Sequence, residues 1–304
     1  MPAINNSMNY TDLFGSRYPI IAAPMNKVSD LKLAIACHNA GILPSLSLYT
    51  YFVIDRLRLD LFDAALKEFK NQTGSNKILV SVLTSDMFNK NVQKILLDNQ
   101  IELLEIIDDK TIVNGEVWEF FKNEIQSLQE SGIKIFLKAL TSRNADLLID
   151  GVILKSNAGA GRGIDHLSID DELKKVQEKY VGLPVVMSGG ISTSADVMKY
   201  LDLGCIAVAV GTLIAAAEES PISNESKQKM IESTYADVVR FGKANQNALI
   251  FKPIAEDDHN NTGSLVQGIK SPDTGILFAG RALNNIKEIR PVKDIINDLI
   301  KDLK

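Results

Sequence analysis

Two glycine turns stand close together in the C-terminal half of the chain, Ser188-Gly189-Gly190 and Gly211-Thr212. Each follows a short Val-rich apolar run, 183–187 and 205–210. Glycine lets the backbone turn tightly and brings main-chain N–H groups close to an anion with no Cβ in the way. A helix that starts after such a turn adds its own free N–H groups, so the pair suits a phosphate. The rest of the reactive inventory is thin. The three histidines are His38 on a predicted helix, His166 in a glycine-rich loop and His259 in a polar loop. Cys37 and Cys205 fall in a predicted helix and a predicted strand, where they read as small core residues. Two such thiols support neither a disulfide framework nor a metal site.

Between the turns, Ala195, Val197, Met198 and Leu201 recur at helical spacing, and Gly204 supplies a stop. Strand, helix and strand in about 30 residues make a βαβ unit, with parallel strands and both turns at one end of the sheet. The alternation runs back through the chain. Apolar runs at 18–25, 42–48, 77–83, 101–107, 133–140 and 151–155 predict six earlier strands, although Pro44 weakens the second. Helices are predicted over 30–40 with Ser29 as cap, and over 52–69, 89–98, 116–130, 142–149 and 169–180. Eight strands alternating with helices over about 195 residues predict a (β/α)8 TIM barrel, an α/β fold. The two turns then follow strands seven and eight, where such barrels commonly hold phosphate. A doubly wound sheet is the runner-up; no strand after the first leads into a GxGxxG turn.

Residues 216–275 break the pattern. A helix is predicted over 223–239 and a strand over 248–252, and the polar stretch 257–274 suits a loop or lid. The expected organisation is a barrel of 1–215 plus 276–304, with 216–275 as an excursion near its mouth. A final helix, 292–303, returns to the barrel. The net charge of −5, from 33 basic and 38 acidic residues, gives no electrostatic case for nucleic acid or an anionic membrane as a partner. No apolar run approaches the roughly 18 residues of a membrane span. MPAINNSMNY shows no basic-then-apolar leader, so a cytoplasmic location is expected.

Several stretches fall in a telling order: YPIIAAPMNKVSD, NAG at 39–41, GVILKSNAGAGRG, LPVVMSGGI, LGCIAVAVGTLIAAAEES and LFAGRALNNIKEIRPV. Together they resemble the nitronate monooxygenase family, formerly called 2-nitropropane dioxygenases. Flavin-dependent enoyl-ACP reductases and reductase-like domains of polyketide synthases are related to it. The resemblance runs from about Tyr18 to the C-terminal helix and implies FMN in a (β/α)8 barrel. It implies that Ser188, Gly189, Gly190, Gly211 and Thr212 hold the FMN phosphate. Ala23, Pro24, Met25 and Asn26 would pass along the isoalloxazine ring, and Ser81 stands where an Asn usually contacts the flavin.

The departures from the family bear on the reaction. Where EAGGH is usual after strand six, this chain has Asn157-Ala158-Gly159-Ala160-Gly161, with glycine at the histidine position. Proton abstraction beside a nitro group needs a base within hydrogen-bond reach. His166 is the nearest replacement in sequence, ahead of His38 and His259. Leu154 replaces a Gln on strand six and Lys155 follows it; Arg281 stands in place of a Gln near the C-terminus. Lys138, Lys155 and Arg281 are candidates to stabilise negative charge at the N1–O2 edge of reduced flavin. Arg162 and Arg281 are candidates for an anionic substrate or a carrier phosphopantetheine. The resemblance thus implies FMN-dependent oxidation of alkyl nitronates with O2. The alternatives are an enoyl-thioester reductase driven by NAD(P)H, and a barrel that binds FMN without turnover. The expected partners are a small-molecule or acyl-thioester substrate and a second copy in a homodimer.

Overall fold

The computed structural model describes residues 9–53, 56–107, 115–139, 149–162, 168–241, 246–250, 268–271 and 275–303. Eight parallel strands form its centre: β1 Ile20–Ala22, β2 Ser45–Ser47, β3 Leu79–Leu83, β4 Leu103–Ile107, β5 Lys134–Ala139, β6 Gly151–Lys155, β7 Val185–Ser188 and β8 Ala207–Val210. Each pairs with its neighbour in chain order, and β8 pairs with β1. A parallel bridge between Ile21 and Leu43 closes the ring, carried by Ala22 N–H to Leu43 O and Leu43 N–H to Ile20 O. The (β/α)8 barrel expected from the alternation is therefore the fold. Pro44 does not break the second strand. Lacking an N–H, it sits just before the ladder and accepts from Leu79 N–H.

Two apolar layers hold the barrel. Between strands and helices lies a large cluster that includes Val80, Val82, Leu104, Ile106, Ile135, Leu137, Val152 and Leu154. Inside the ring lies a smaller one, with Ile21, Leu43, Leu79, Leu103, Phe136, Ile153, Val186 and Ala207. The short helix α1, Tyr10–Phe14, inserts Leu13 and Phe14 into this inner cluster and closes the N-terminal end. Phe14 and Phe136 meet there with ring centroids 5.7 Å apart.

Among the helices, α2 Leu31–Asn39, α4 Lys90–Asp98, α5 Gly115–Glu130, α6 Ile169–Lys179 and α7 Ser194–Asp202 stand close to their sequence expectations. The cap of α2 is Asp30 rather than Ser29. Asp30 accepts from Leu33 N–H at 2.9 Å, while Ser29 Oγ is occupied by Met25 N–H at 2.9 Å, folding the turn after β1. The helix expected over 52–69 begins later. Phe52–Val53 and Arg56–Leu57 pair as an antiparallel hairpin, and α3 spans Leu59–Thr73. Aromatic and β-branched residues favour the hairpin, and the buried helical stripe of Phe62, Ala65, Leu66 and Phe69 starts only after it. The predicted helix over 142–149 lies almost wholly outside the described residues.

The excursion also differs from expectation. The helix predicted over 223–239 ends at Glu232. Thr234 and Asp237 then take each other's backbone N–H groups around a single 3-10 turn, a local arrangement that competes with helix continuation. The chain goes on into a strand, Val239–Phe241, which pairs antiparallel with Gln246–Ile250. The opposite edge of Gln246–Ile250 pairs with Ile276–Phe278 and with Gly161–Arg162. This small sheet thus joins the excursion to the turn after β6. Most of the polar stretch 257–274 lies outside the described residues. The last helix, Val292–Ile300, packs against α2 and α7 in the barrel's outer ring.

Candidate functional site

Side chains alternate along a strand, and the inner cluster fixes which set faces the barrel axis. Leu79, Leu103, Phe136, Ile153 and Val186 belong to that cluster. Two residues further along each strand, on the same face, stand Ser81, Glu105, Lys138, Lys155 and Ser188. The inside of the barrel is therefore apolar at its floor and polar toward the C-terminal mouth. The mouth is where residues of this fold converge to do chemistry.

Glu105 is fully buried, and its Oε1 accepts from Ser81 Oγ at 2.8 Å. Lys138 Nζ lies 3.2 and 3.3 Å from its two oxygens. The Lys138 side chain is 14% exposed and that of Glu105 0%, so this is a buried ion pair. Lys155 is in a different state. Burial, with the nearby charges of Lys138 and then Arg240, pushes its ammonium down to about 7. Its register partner across the ladder is Ser188, the first residue of the β7 glycine turn.

The glycine turns form one cradle. Gly189 and Gly190 have φ of +94° and +76°, which side chains adopt only with strain. A Cβ on Gly189 would stand 2.9 Å from Ser156 Oγ and 3.1 Å from Gly159 Cα. One on Gly280 would stand 2.5 Å from Ala158 O. Hydrogen bonds tie the turns together: Ser156 Oγ to Gly189 O at 2.8 Å, Gly280 N–H to Thr212 Oγ1 at 3.3 Å, and Arg281 N–H to Ala158 O at 2.8 Å. Among the described residues, the N–H groups of Gly189, Gly190, Gly211 and Thr212 donate to no protein acceptor. Gly211 also lies close to the segment after β1, its added Cβ falling 3.5 Å from Ala23 Cβ and 3.6 Å from Met25 Sδ. A set of unengaged donors, most of them on glycines, fits a phosphate group.

The structure sorts the sequence candidates. Ser188, Gly189, Gly190, Gly211 and Thr212 come together, with Ala23, Pro24 and Met25 beside them. Asn26 accepts from Ser47 Oγ at 2.7 Å, which orients its amide. Ser81 and Lys138 both point at Glu105. Leu154 faces outward into the helix layer. Arg281 donates from Nη2 to Gly190 O at 3.2 Å and stands 3.5 Å from Asp196, so it braces the cradle. Arg162 enters the small sheet through its backbone, and its side chain lies outside the described residues, as do His166 and His259. His38 is no part of the mouth: it sits on α2 with its ring edge-on to Phe69 of α3, 5.8 Å away. Burial moves its imidazole below the ordinary range. Both cysteines are buried, and burial pushes Cys205 up to about 12. Among the described residues no cluster fits a metal ion, and no helix is long and apolar enough to cross a membrane.

Sequence reading missed Glu105, Ser47 and Ser156. The first lies inside IELLEII, a run that reads as a mostly apolar strand. Its position two residues after inward-facing Leu103 was the available signal.

The model of the nitronate monooxygenase family matches residues 124–302, more than half of the chain. The chain belongs to that family. A family member of this kind has close likenesses of fold among solved structures. FabK from Thermotoga maritima superposes with a TM-score of 0.79 at 22% identity, covering 96% of this chain and 94% of its own. Nitroalkane oxidase from Streptomyces ansochromogenes gives 0.75 at 21% identity, covering 96% and 97%. At such identities the likeness is one of fold. A shorter stretch is 38% identical over 86 residues to inosine-5'-monophosphate dehydrogenase of Helicobacter pylori. That match takes in 27% of this chain and spans only 18% of the dehydrogenase's length.

Proposed function

We propose that this nitronate monooxygenase family member is an FMN-dependent oxidoreductase that oxidises alkyl nitronates with molecular oxygen. The observation that carries the reading is the cradle after β6, β7 and β8. It offers unengaged N–H donors at Gly189, Gly190, Gly211 and Thr212, and a Cβ at Gly189 or Gly190 would collide with the neighbouring turn. Those residues would hold the phosphate of FMN, and Ala23 to Asn26, beside Gly211, would line the path of the ring. Bound FMN supplies a two-electron acceptor that oxygen reoxidises.

The residues of the chain have separable roles in this reading. Arg281 and Ser156 hold the cradle closed against Gly190 and Gly189. The Glu105–Lys138 pair, neutral overall, fixes a dipole at the polar end of the barrel interior, and its ammonium end would favour an anionic substrate or reduced ring. The apolar floor beneath keeps water from the centre, which strengthens each of these interactions.

The purified protein should be yellow and release FMN on denaturation, and should take up oxygen with propionate 3-nitronate or another alkyl nitronate. A colourless protein that gains no colour from added FMN would overturn the flavin reading. NAD(P)H consumption dependent on an enoyl thioester, without nitronate oxidation, would replace the reaction by the enoyl-reductase alternative. Bound FMN with neither activity would leave a flavin-binding barrel without turnover.

A further inference from the structure

We propose that Glu105 is a positioning residue that limits how strongly the barrel mouth favours negative charge, so that bound FMN is a weak acceptor of electrons and of anions. The inference rests on the flavin reading above and deepens it. Of the inward-facing polar residues Ser81, Glu105, Lys138, Lys155 and Ser188, Glu105 alone is acidic. It is fully buried, and a carboxylate in that position is costly unless it is paired. Ser81 Oγ donates to its Oε1 at 2.8 Å, and Lys138 Nζ lies 3.2 and 3.3 Å from its two oxygens. Both oxygens accept, which is the arrangement of a carboxylate. Among the described residues, Lys138 Nζ bonds to no group other than Glu105.

The register decides which end of the pair meets a ligand. Glu105 stands level with Ser81 on β3 and with Phe136 on β5, whereas Lys138 stands level with Ile107. The Lys138 backbone is therefore two residues, about 6–7 Å along the strand, nearer the mouth. Behind Glu105 lie Leu79 and Leu103 of the apolar floor. The Lys138 side chain keeps 14% exposure and that of Glu105 none. A group seated at the mouth thus meets the ammonium first, with the carboxylate directly behind it. A lone ammonium in this dry interior would act on that group with its full charge. The neutral pair acts on it as a dipole, whose field falls off faster with distance. Lys138 supplies the attraction and Glu105 sets its size. A cofactor held at low affinity for electrons passes them to oxygen more readily, which suits the reaction proposed above.

The test titrates sulfite, an anion that adds reversibly to oxidised flavin and bleaches its visible band, into the purified FMN-loaded protein. Glu105→Gln should tighten sulfite binding by about tenfold or more, and Lys138→Met should weaken it by about as much. Lys138→Arg keeps the charge and should stay within about threefold of the parent. The reduction potential of the bound flavin, read by dye equilibration, should follow the same order. Loosened packing would move both single variants in one direction; only charge moves them in opposite ones. The double variant Glu105→Gln/Lys138→Met strands no buried charge, so it tests the inference even where a single variant fails to fold. Its affinity should lie between those of the single variants and within about threefold of the parent. A double variant as weak as about one-tenth of the parent would show that the ammonium acts alone, and would overturn the proposal. Single variants that shift the same way would overturn it as well. A parent that stays colourless with added FMN overturns the flavin reading and this inference with it; a yellow parent with the wrong order of affinities overturns this inference alone.

Discussion

Removal of the Lys155 charge should stabilise the protein, and only below about pH 10. In the folded chain the group sits at about 7 instead of its ordinary 10.5. The unfolded chain therefore binds a proton that the folded chain does not, throughout the window from about 7 to 10.5. Stability rises with pH across that window. Below it the cost of charging the buried amine is borne in full; above it the amine is neutral in both states and the cost vanishes. At about 1.36 kcal/mol per pH unit the full cost approaches 5 kcal/mol, an upper value because a real site relaxes. Lys155→Met has nearly the same length and no charge, so it should raise the unfolding midpoint at pH 6. A chain of this size gains roughly 2 °C per kcal/mol, which makes the expected gain about 5–10 °C. The gain should shrink steadily toward pH 10. Scanning fluorimetry of parent and variant in matched buffers from pH 6 to 10 measures it. A midpoint difference independent of pH would show that Lys155 carries an ordinary exposed charge, and the reasoning would be wrong.

Three further outcomes follow from the same geometry. Glu105→Gln and Lys138→Met should each destabilise by about 3–5 kcal/mol, because each strands a buried charge; the double variant should lose less than the two losses added, as a denaturant double-mutant cycle would reveal. Gly211→Asp, which sets a carboxylate against the phosphate, and Gly280→Ala, whose Cβ would stand 2.5 Å from Ala158 O, should both purify with little flavin, read from visible absorbance. Gly151→Ala would press a methyl to 2.3 Å from the Phe136 ring and should cost about 1–3 kcal/mol by overpacking, measured by urea unfolding with flavin binding retained.

Much of this structure was legible because strands buried on both faces leave unbroken apolar runs, and glycine turns punctuate them. The eight strands and the two cradle turns came from that signal alone. The polar interior did not. Ser81, Glu105 and Lys138 are isolated polar residues in largely apolar runs, and such a residue reads equally well as an outward-facing group. Only the closed ring, with Leu79, Leu103 and Phe136 inside it, decides that these residues point inward. Thr212 and Arg281 were legible as polar groups beside glycines, but their partners were not: Thr212 accepts from Gly280 N–H and Arg281 donates to Gly190 O, contacts 68 and 91 residues apart in sequence. Where local chemistry competes, as at Ser29 and Asp30 or at Thr234 and Asp237, two nearby polar residues share the work. Periodicity does not rank them.

The glycine at position 161 links the barrel to the excursion. The family resemblance would place a histidine there, yet Gly161 has φ +72° and an added Cβ would find nothing within 4 Å. Space is not what excludes a side chain; conformation is, since β-carbon-bearing residues enter the left-handed region at a cost of about 1 kcal/mol or more. That conformation belongs to the start of Gly161–Arg162, the two-residue strand that pairs with Gln246 and Asn247. The turn after β6 has become a docking edge for the excursion, and the same excursion brings Arg240 near Lys155. The pairing joins the turn after β6 to the strand next to the one that carries Arg240, a cation that acts on Lys155. If the sheet pairing is what depresses Lys155, then Arg240→Gln should raise its midpoint by less than Lys138→Met does, following the order in which the two charges act on it. The reverse order in a lysine NMR titration would break the link between the excursion and Lys155.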